Sequence, residues 1–104
     1  MKCSIMTKTE KLFDEVVKTI HTRGQTYGHP YYNHKRIAEL WSAYIGFPLQ
    51  PNQVAMCMAL VKISRSAEDC ENLDNYTDAL GYIAISKTVH DAMQDELGEW
   101  DDGI

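Results

Sequence analysis

VAMCMALVKISR (residues 54–65), followed after an acidic loop by LDNYTDALGYIAI (residues 73–85), is the stretch that decides how this chain folds. The first block is apolar from Val54 to Val61 and then carries Lys62 and Arg65. The second opens on Asp74, Asn75 and Asp78 before it turns apolar. On an α-helix, residues three or four apart share a face. Lys62 therefore lies beside Arg65 on one helix, and Asp74, Asp78 and Tyr82 form a stripe on the next. Two oppositely charged helix ends are thereby set against an apolar interior. Residues 54–61 are apolar on every side, which predicts a central helix covered by three others.

Working outward, Phe47-Pro48-Leu49-Gln50-Pro51 reads as a stiff connector, with Asn52 as the expected N-cap of the third helix. The helix before it is expected from about Pro30 to Gly46. Its proline sits in the first turn, where a missing N–H costs nothing, and Ile37, Leu40, Trp41, Tyr44 and Ile45 form its apolar stripe. The first helix should start at the capping box Thr7-Lys8-Thr9-Glu10, bury Leu12, Phe13, Val16, Val17 and Ile20, run to about Thr22 and stop at Gly24. Residues 1–6 are then a loose lead-in. Downstream, residues 66–73 form a polar linker and a fourth helix runs from about Asp74 to Leu97. It buries Tyr76, Ala79, Leu80, Ile83, Ala84 and Val89, and Gly81 permits close helix approach; residues 98–104, with Trp100, form an acidic tail. The expected fold is all-α, a four-helix bundle-like single domain over residues 1–104.

Composition narrows the function. A chain of 104 residues has room for one core. Its longest apolar run is far short of the ~20 residues that span a bilayer, so a soluble, cytoplasmic protein with no membrane partner is expected. Three cysteines (Cys3, Cys57, Cys70) without CxxC spacing favour neither a disulfide framework nor a zinc site. The formal charge of −5 argues against a generic nucleic-acid binder, which needs a basic surface. That charge is uneven: the last fourteen residues hold six acids and no base, whereas bases outnumber acids over residues 8–36. A small anion can still be held by a local basic set, because repulsion from distant acids is screened within roughly 8 Å.

Residues 24–33, GQTYGHPYYN, are the least regular segment. Two glycines, a His-Pro step and three tyrosines set backbone shape and supply hydroxyls, an imidazole and flat rings. The segment reads either as a helix connection whose tyrosines cover the core edge, or as a base or ribose pocket. In the pocket, Tyr27 or Tyr31 stacks and His29 or Asn33 hydrogen-bonds. Lys62, Arg65, Asp74 and Asp78 likewise read either as ion pairs fastening the third helix to the fourth, or as the charged part of a site that His29, Asn33 and Tyr82 join if the loop folds over them.

In order and spacing, the YG loop, the N-x-x-R-I-A-x-L-W helix, the K-I-x-R segment and the D-N-x-x-D-x-x-G-Y segment resemble a family of small bacteriophage and prophage proteins of unknown function; the likeness covers roughly residues 22–86. DNYTDALGYIAI also resembles the second half of the MazG-like all-α nucleoside triphosphate pyrophosphohydrolases. There, an acidic step opens an apolar helix and an E-x-x-E on the preceding helix completes a carboxylate cluster for Mg²⁺. That resemblance implies Asp74, Asn75 and Asp78 as metal ligands. Where E-x-x-E is expected, however, this chain has Lys62-Ile63-Ser64-Arg65, cations that can meet phosphate directly.

The reading that follows is a phage-type protein that binds or processes a (deoxy)nucleoside phosphate. Phosphates meet Lys62, Arg65 and Arg36, and the base or sugar meets His29, Tyr31, Asn33 and Tyr82. In an enzymatic version, a nucleotide phosphohydrolase or kinase, Asp74 and Asp78 recruit Mg²⁺ or act as general base. A homo-oligomer is expected. The alternatives are a non-catalytic sponge for a nucleotide signal of host defence, and an interaction protein that blocks a host factor.

Overall fold

The computed structural model describes the backbone of residues 2–97 and the side chains of residues 7–95; the acidic tail and Trp100 lie outside the described residues. Four helices make up the fold: α1 (Lys2–Tyr27), α2 (Pro30–Ile45), α3 (Pro51–Glu68) and α4 (Asp74–Leu97). The all-α, bundle-like expectation holds, and no strand occurs among the described residues. No helix among them is long and apolar enough to cross a membrane.

Proline and glycine punctuate the chain. α2 opens with Pro30 and closes at Gly46, which adopts φ 74° and donates its N–H to Ser42 O at 2.9 Å. Two expectations shift. Residues 2–6 are helical, so α1 runs through Thr7–Glu10 instead of starting there, and it continues past Gly24 to Tyr27. Its stop is Gly28, at φ 83°, whose N–H reaches Gly24 O at 2.8 Å. A left-handed residue suits glycine, and a proline two positions on forces a new start. The apparent loop 24–33 therefore reduces to Gly28 and His29 between two helices. The N-cap of α3 is Gln50, not Asn52: Pro51 takes the first helical position, and Gln53 Oε1 accepts the Gln50 N–H at 2.8 Å.

α3 and α4 are the closest-packed pair; α1 lies on α4, and α2 on both α3 and α4. The fully covered core is thin: Val16, Tyr31, Ala38, Val54, Ala55, Ala59 and Val89. Several side chains expected inside are exposed, among them Phe13, Val17, Leu40, Tyr44, Ile45, Tyr76 and Ile83. α3 is not covered all round either. Val54, Ala55 and Ala59 are buried, whereas Met56, Leu60 and Ile63 face outward. An apolar run specifies that it wants covering, and the chain's own three helices cover about half of it.

One buried polar contact fixes the α3–α4 register. Ser86, buried on α4, donates through Oγ to Asn52 O at 2.9 Å. Ser86→Ala leaves that carbonyl without this donor and is expected to cost about 1–2 kcal/mol, read as a lower urea midpoint with an unchanged slope.

Candidate functional site

Between the four helices lies a cavity of about 230 Å³. α1 contributes Thr19, Ile20, Arg23, Gly24 and Tyr27. α2 contributes Asn33, His34, Ile37 and Trp41; α3 contributes Val54, Met58 and Lys62; α4 contributes Thr77, Asp78, Gly81, Tyr82 and Ile85. On α3 the lining residues recur every four positions, and on α4 they recur at three and four, so each helix presents a single face to the space.

The lining is mainly apolar and aromatic, with a few charged side chains among it. Lys62 Nζ on α3 lies 3.1 Å from Asp78 Oδ2 on α4, and the Lys62 side chain is 17% exposed against 36% for Asp78. Arg23 stands exposed on α1 and forms no ion pair among the described residues. Among the described residues, the charged side chains lining the cavity are thus Arg23, Lys62 and Asp78, a net positive set in a chain of net charge −5. His34 is buried on the cavity wall, with Nδ1 2.8 Å from Pro30 O. A carbonyl can only accept, so Nδ1 carries a proton in this contact. Nε2 has no partner in the protein, and no side-chain nitrogen or oxygen of the described residues is both sealed and unpaired, so Nε2 opens onto accessible space.

Of the three glycines in the wall, the two within helices, Gly24 and Gly81, face open space. A Cβ added at Gly24 or Gly81 meets nothing within 4 Å, and neither glycine has a positive φ. Gly81 is thus not a close-approach residue as expected from sequence. A glycine inside a helix costs roughly 1 kcal/mol relative to alanine. Here that cost secures neither helix contact nor an unusual backbone, and what it leaves is room.

Of the residues singled out from sequence, Asn33, Lys62, Asp78 and Tyr82 line this cavity; His29, Tyr31, Arg36, Arg65, Asp74 and Asn75 do not. His29 caps α2, its Nδ1 accepting the Tyr31 N–H at 3.0 Å. Tyr31 is buried against Tyr32, ring edge to ring face at 5.2 Å. Asp74 is exposed at the start of α4, and Asn75 beside it is buried. Arg65 and Arg36 are exposed, and neither forms an ion pair among the described residues, so the four-residue network reduces to the Lys62–Asp78 pair. No group of three or more His, Cys, Asp or Glu side chains suited to a metal occurs among the described residues. Arg23 and Trp41 were not singled out as site residues. Arg23, one residue past the expected helix end at about Thr22, lies within α1 and lines the cavity.

The fold and this space define a small all-α domain built around a lined, partly cationic cavity. The chain belongs to the family described as Domain of unknown function (DUF6378), whose model matches residues 11–90. It is similar to the Gene 55 protein of Mycobacterium phage D29, with 33% identity over 95 residues that make up 89% of this chain and 63% of the relative. It is also similar to the Gene 55 protein of Mycobacterium phage L5, with 37% identity over 83 residues, 79% of this chain and 49% of the relative. The chain therefore spans about half to two-thirds of these relatives' length. Both are bacteriophage proteins. No solved structure matches the chain.

Proposed function

We propose that this phage-type chain binds one nucleoside phosphate in the four-helix cavity. Arg23 and Lys62 face the phosphates, and Trp41, Tyr82, Asn33 and His34 surround the base or sugar. The observation that carries this reading is the pair of helical glycines, Gly24 and Gly81, which hold space open where alanine would fit. The net positive lining supports an anionic ligand. Arginine meets phosphate in bidentate fashion, while a partly buried lysine acts as a point charge. The size supports a single nucleotide: 230 Å³ lies just below the ~300–1,000 Å³ typical of pockets for drug-sized ligands. That is ample for a nucleoside-scale head with its phosphates at the mouth, and small for a dinucleotide.

Asp78 is the one carboxylate in the wall among the described residues, so a Mg²⁺-dependent hydrolytic version of this function runs through it. Magnesium takes one or two carboxylates plus phosphate oxygens, and Asp78 supplies the first. Asp74 and Asn75 stand outside the cavity, and Lys62 occupies the side where the pyrophosphohydrolase likeness calls for acids. Binding is therefore the better supported reading, and the infected host's cytoplasm is its natural setting. Thermal unfolding against nucleoside mono-, di- and triphosphates and cyclic dinucleotides, with and without Mg²⁺, tests it. A ligand at a hundred times its Kd adds about 2.7 kcal/mol, a shift on the order of 10 °C for a domain of this size. A selective shift with a mononucleotide is expected, and a flat panel from folded protein refutes the reading.

A further inference from the structure

Three polar side chains are buried among the described residues, His34, Asn75 and Ser86, and of these His34 alone lines the four-helix cavity. Ser86 is committed through its hydroxyl to Asn52 O at 2.9 Å. His34 is committed through only half of its ring. Its Nδ1 lies 2.8 Å from Pro30 O, one turn back on the same helix, and no described residue meets Nε2. His34 is 7% exposed, yet Nε2 is not sealed. Because His34 takes no part in the groove beside Tyr31 and Met93, the space that Nε2 reaches is the cavity.

The chemistry of this atom differs from that of the cations in the same wall. The carbonyl partner keeps a proton on Nδ1, and in the neutral ring Nε2 is then an acceptor only. Arg23 and Lys62 are charged donors suited to anionic oxygen. A lone pair on Nε2 repels that oxygen and takes an O–H or N–H instead. The Nδ1 contact also holds the imidazole in place, so the acceptor is oriented before anything binds and little ordering is needed on association. An acceptor enclosed to this degree discriminates, because a molecule that fills the cavity without bringing a donor leaves it unpaired. The wall thus holds charged donors for the phosphate end of a nucleotide and a fixed acceptor for its uncharged end.

We infer that His34 Nε2 accepts a hydrogen bond from an O–H or N–H on the uncharged part of the bound nucleoside phosphate, and that this contact selects which nucleotide binds. The inference rests on the nucleotide reading above and narrows it to nucleotides that present a donor to the α2 wall. A sugar hydroxyl and a base N–H satisfy Nε2 alike. His34 is therefore a specificity-determining residue that touches the nucleotide, and Pro30 acts through it by fixing the ring.

Titration calorimetry on the full chain tests it at pH 8, where an ordinary imidazole with a pKa of about 6.5 is neutral. The probes are the four ribonucleoside 5′-mono- and triphosphates, their 2′-deoxy and 3′-deoxy forms, and forms whose base lacks the exocyclic amine or carries a methyl on its ring N–H. For the nucleotide that binds, one donor-lacking form is expected to bind the wild type about ten- to a hundred-fold more weakly. Which form it is separates a sugar donor from a base donor. His34→Asn keeps an amide donor near the Nδ1 position for Pro30 O and has nothing in place of Nε2. It should hold the melting temperature, weaken the parent nucleotide by the same factor, and bind the parent and the donor-lacking form alike. If that variant fails to fold, His34→Phe carries the same comparison. Parent affinity that is unchanged in the variant overturns the inference. So does a preference for the parent that persists in the variant, because the donor then meets another group. A flat nucleotide panel removes the nucleotide reading and this inference with it, whereas nucleotide binding indifferent to His34 removes this inference alone.

Discussion

Gly81→Ala, alone or with Gly24→Ala, is expected to raise the melting temperature while weakening ligand binding. Both positions lie inside helices, neither has a positive φ, and a Cβ at either meets nothing within 4 Å. Alanine restricts the unfolded chain more than glycine does and favours the helix, so each replacement stabilises by about 0.5–1 kcal/mol. For a domain of this size that corresponds to several degrees per site. Both glycines line the cavity, however, so the added methyl is expected to narrow it. One methylene too many in a fitted pocket costs ~1–3 kcal/mol, so affinity for the ligand found by the nucleotide panel should fall ten- to two-hundred-fold. Calorimetric unfolding and titration on the same variants read both effects. The opposed signs discriminate: a site that only needed better packing would gain stability with no loss of binding. Lower stability in Gly81→Ala would show that the space is not open at all.

The ends of α2 and the start of α4 were legible because Pro30, Gly46 and the acidic residue Asp74 punctuate them, and local chemistry suffices there. The end of α1 was not. Gly24 and Gly28 are four residues apart and either can stop a helix, and the choice depends on which one takes a left-handed conformation, a matter of where Pro30 must begin. That one-turn difference carries into the site, because Tyr27, in the added turn, lines the cavity. Lys62, Asp78, Asn33 and Tyr82 could be picked out from sequence as polar groups close to apolar runs. His29 and Tyr31 had the same appearance, yet one caps a helix and the other packs beneath it, roles that depend on a backbone register that periodicity does not resolve. The largest departure is α3. Val54–Val61 reads as a run that must be covered, and composition cannot say whether the cover comes from the same chain or from a second one.

Lys62 separates the two remaining interpretations of the charged pair. If Lys62 and Asp78 only fasten α3 to α4, Lys62→Met lowers stability and leaves ligand binding untouched. If Lys62 serves an anionic ligand, the same substitution does the reverse. Methionine keeps the length and apolar stem of lysine and removes a charge that is expensive to hold away from water. Asp78, about a third exposed, remains solvated after losing its partner. The expected change in stability is therefore below about 1 kcal/mol, in line with ion pairs that keep contact with solvent. Loss of a charge-assisted hydrogen bond to phosphate costs about 1.5–3 kcal/mol, so affinity should drop about ten- to a hundred-fold. Asp78→Asn completes the test. It keeps the shape of the side chain and removes the competing negative charge, so Lys62 is held less tightly and anion affinity should hold or rise. Any Mg²⁺-dependent turnover, by contrast, should vanish, because Asp78 is the one carboxylate in the cavity wall among the described residues. Unchanged affinity in Lys62→Met together with a clear stability loss would assign the pair to the scaffold and remove the phosphate from this end of the cavity.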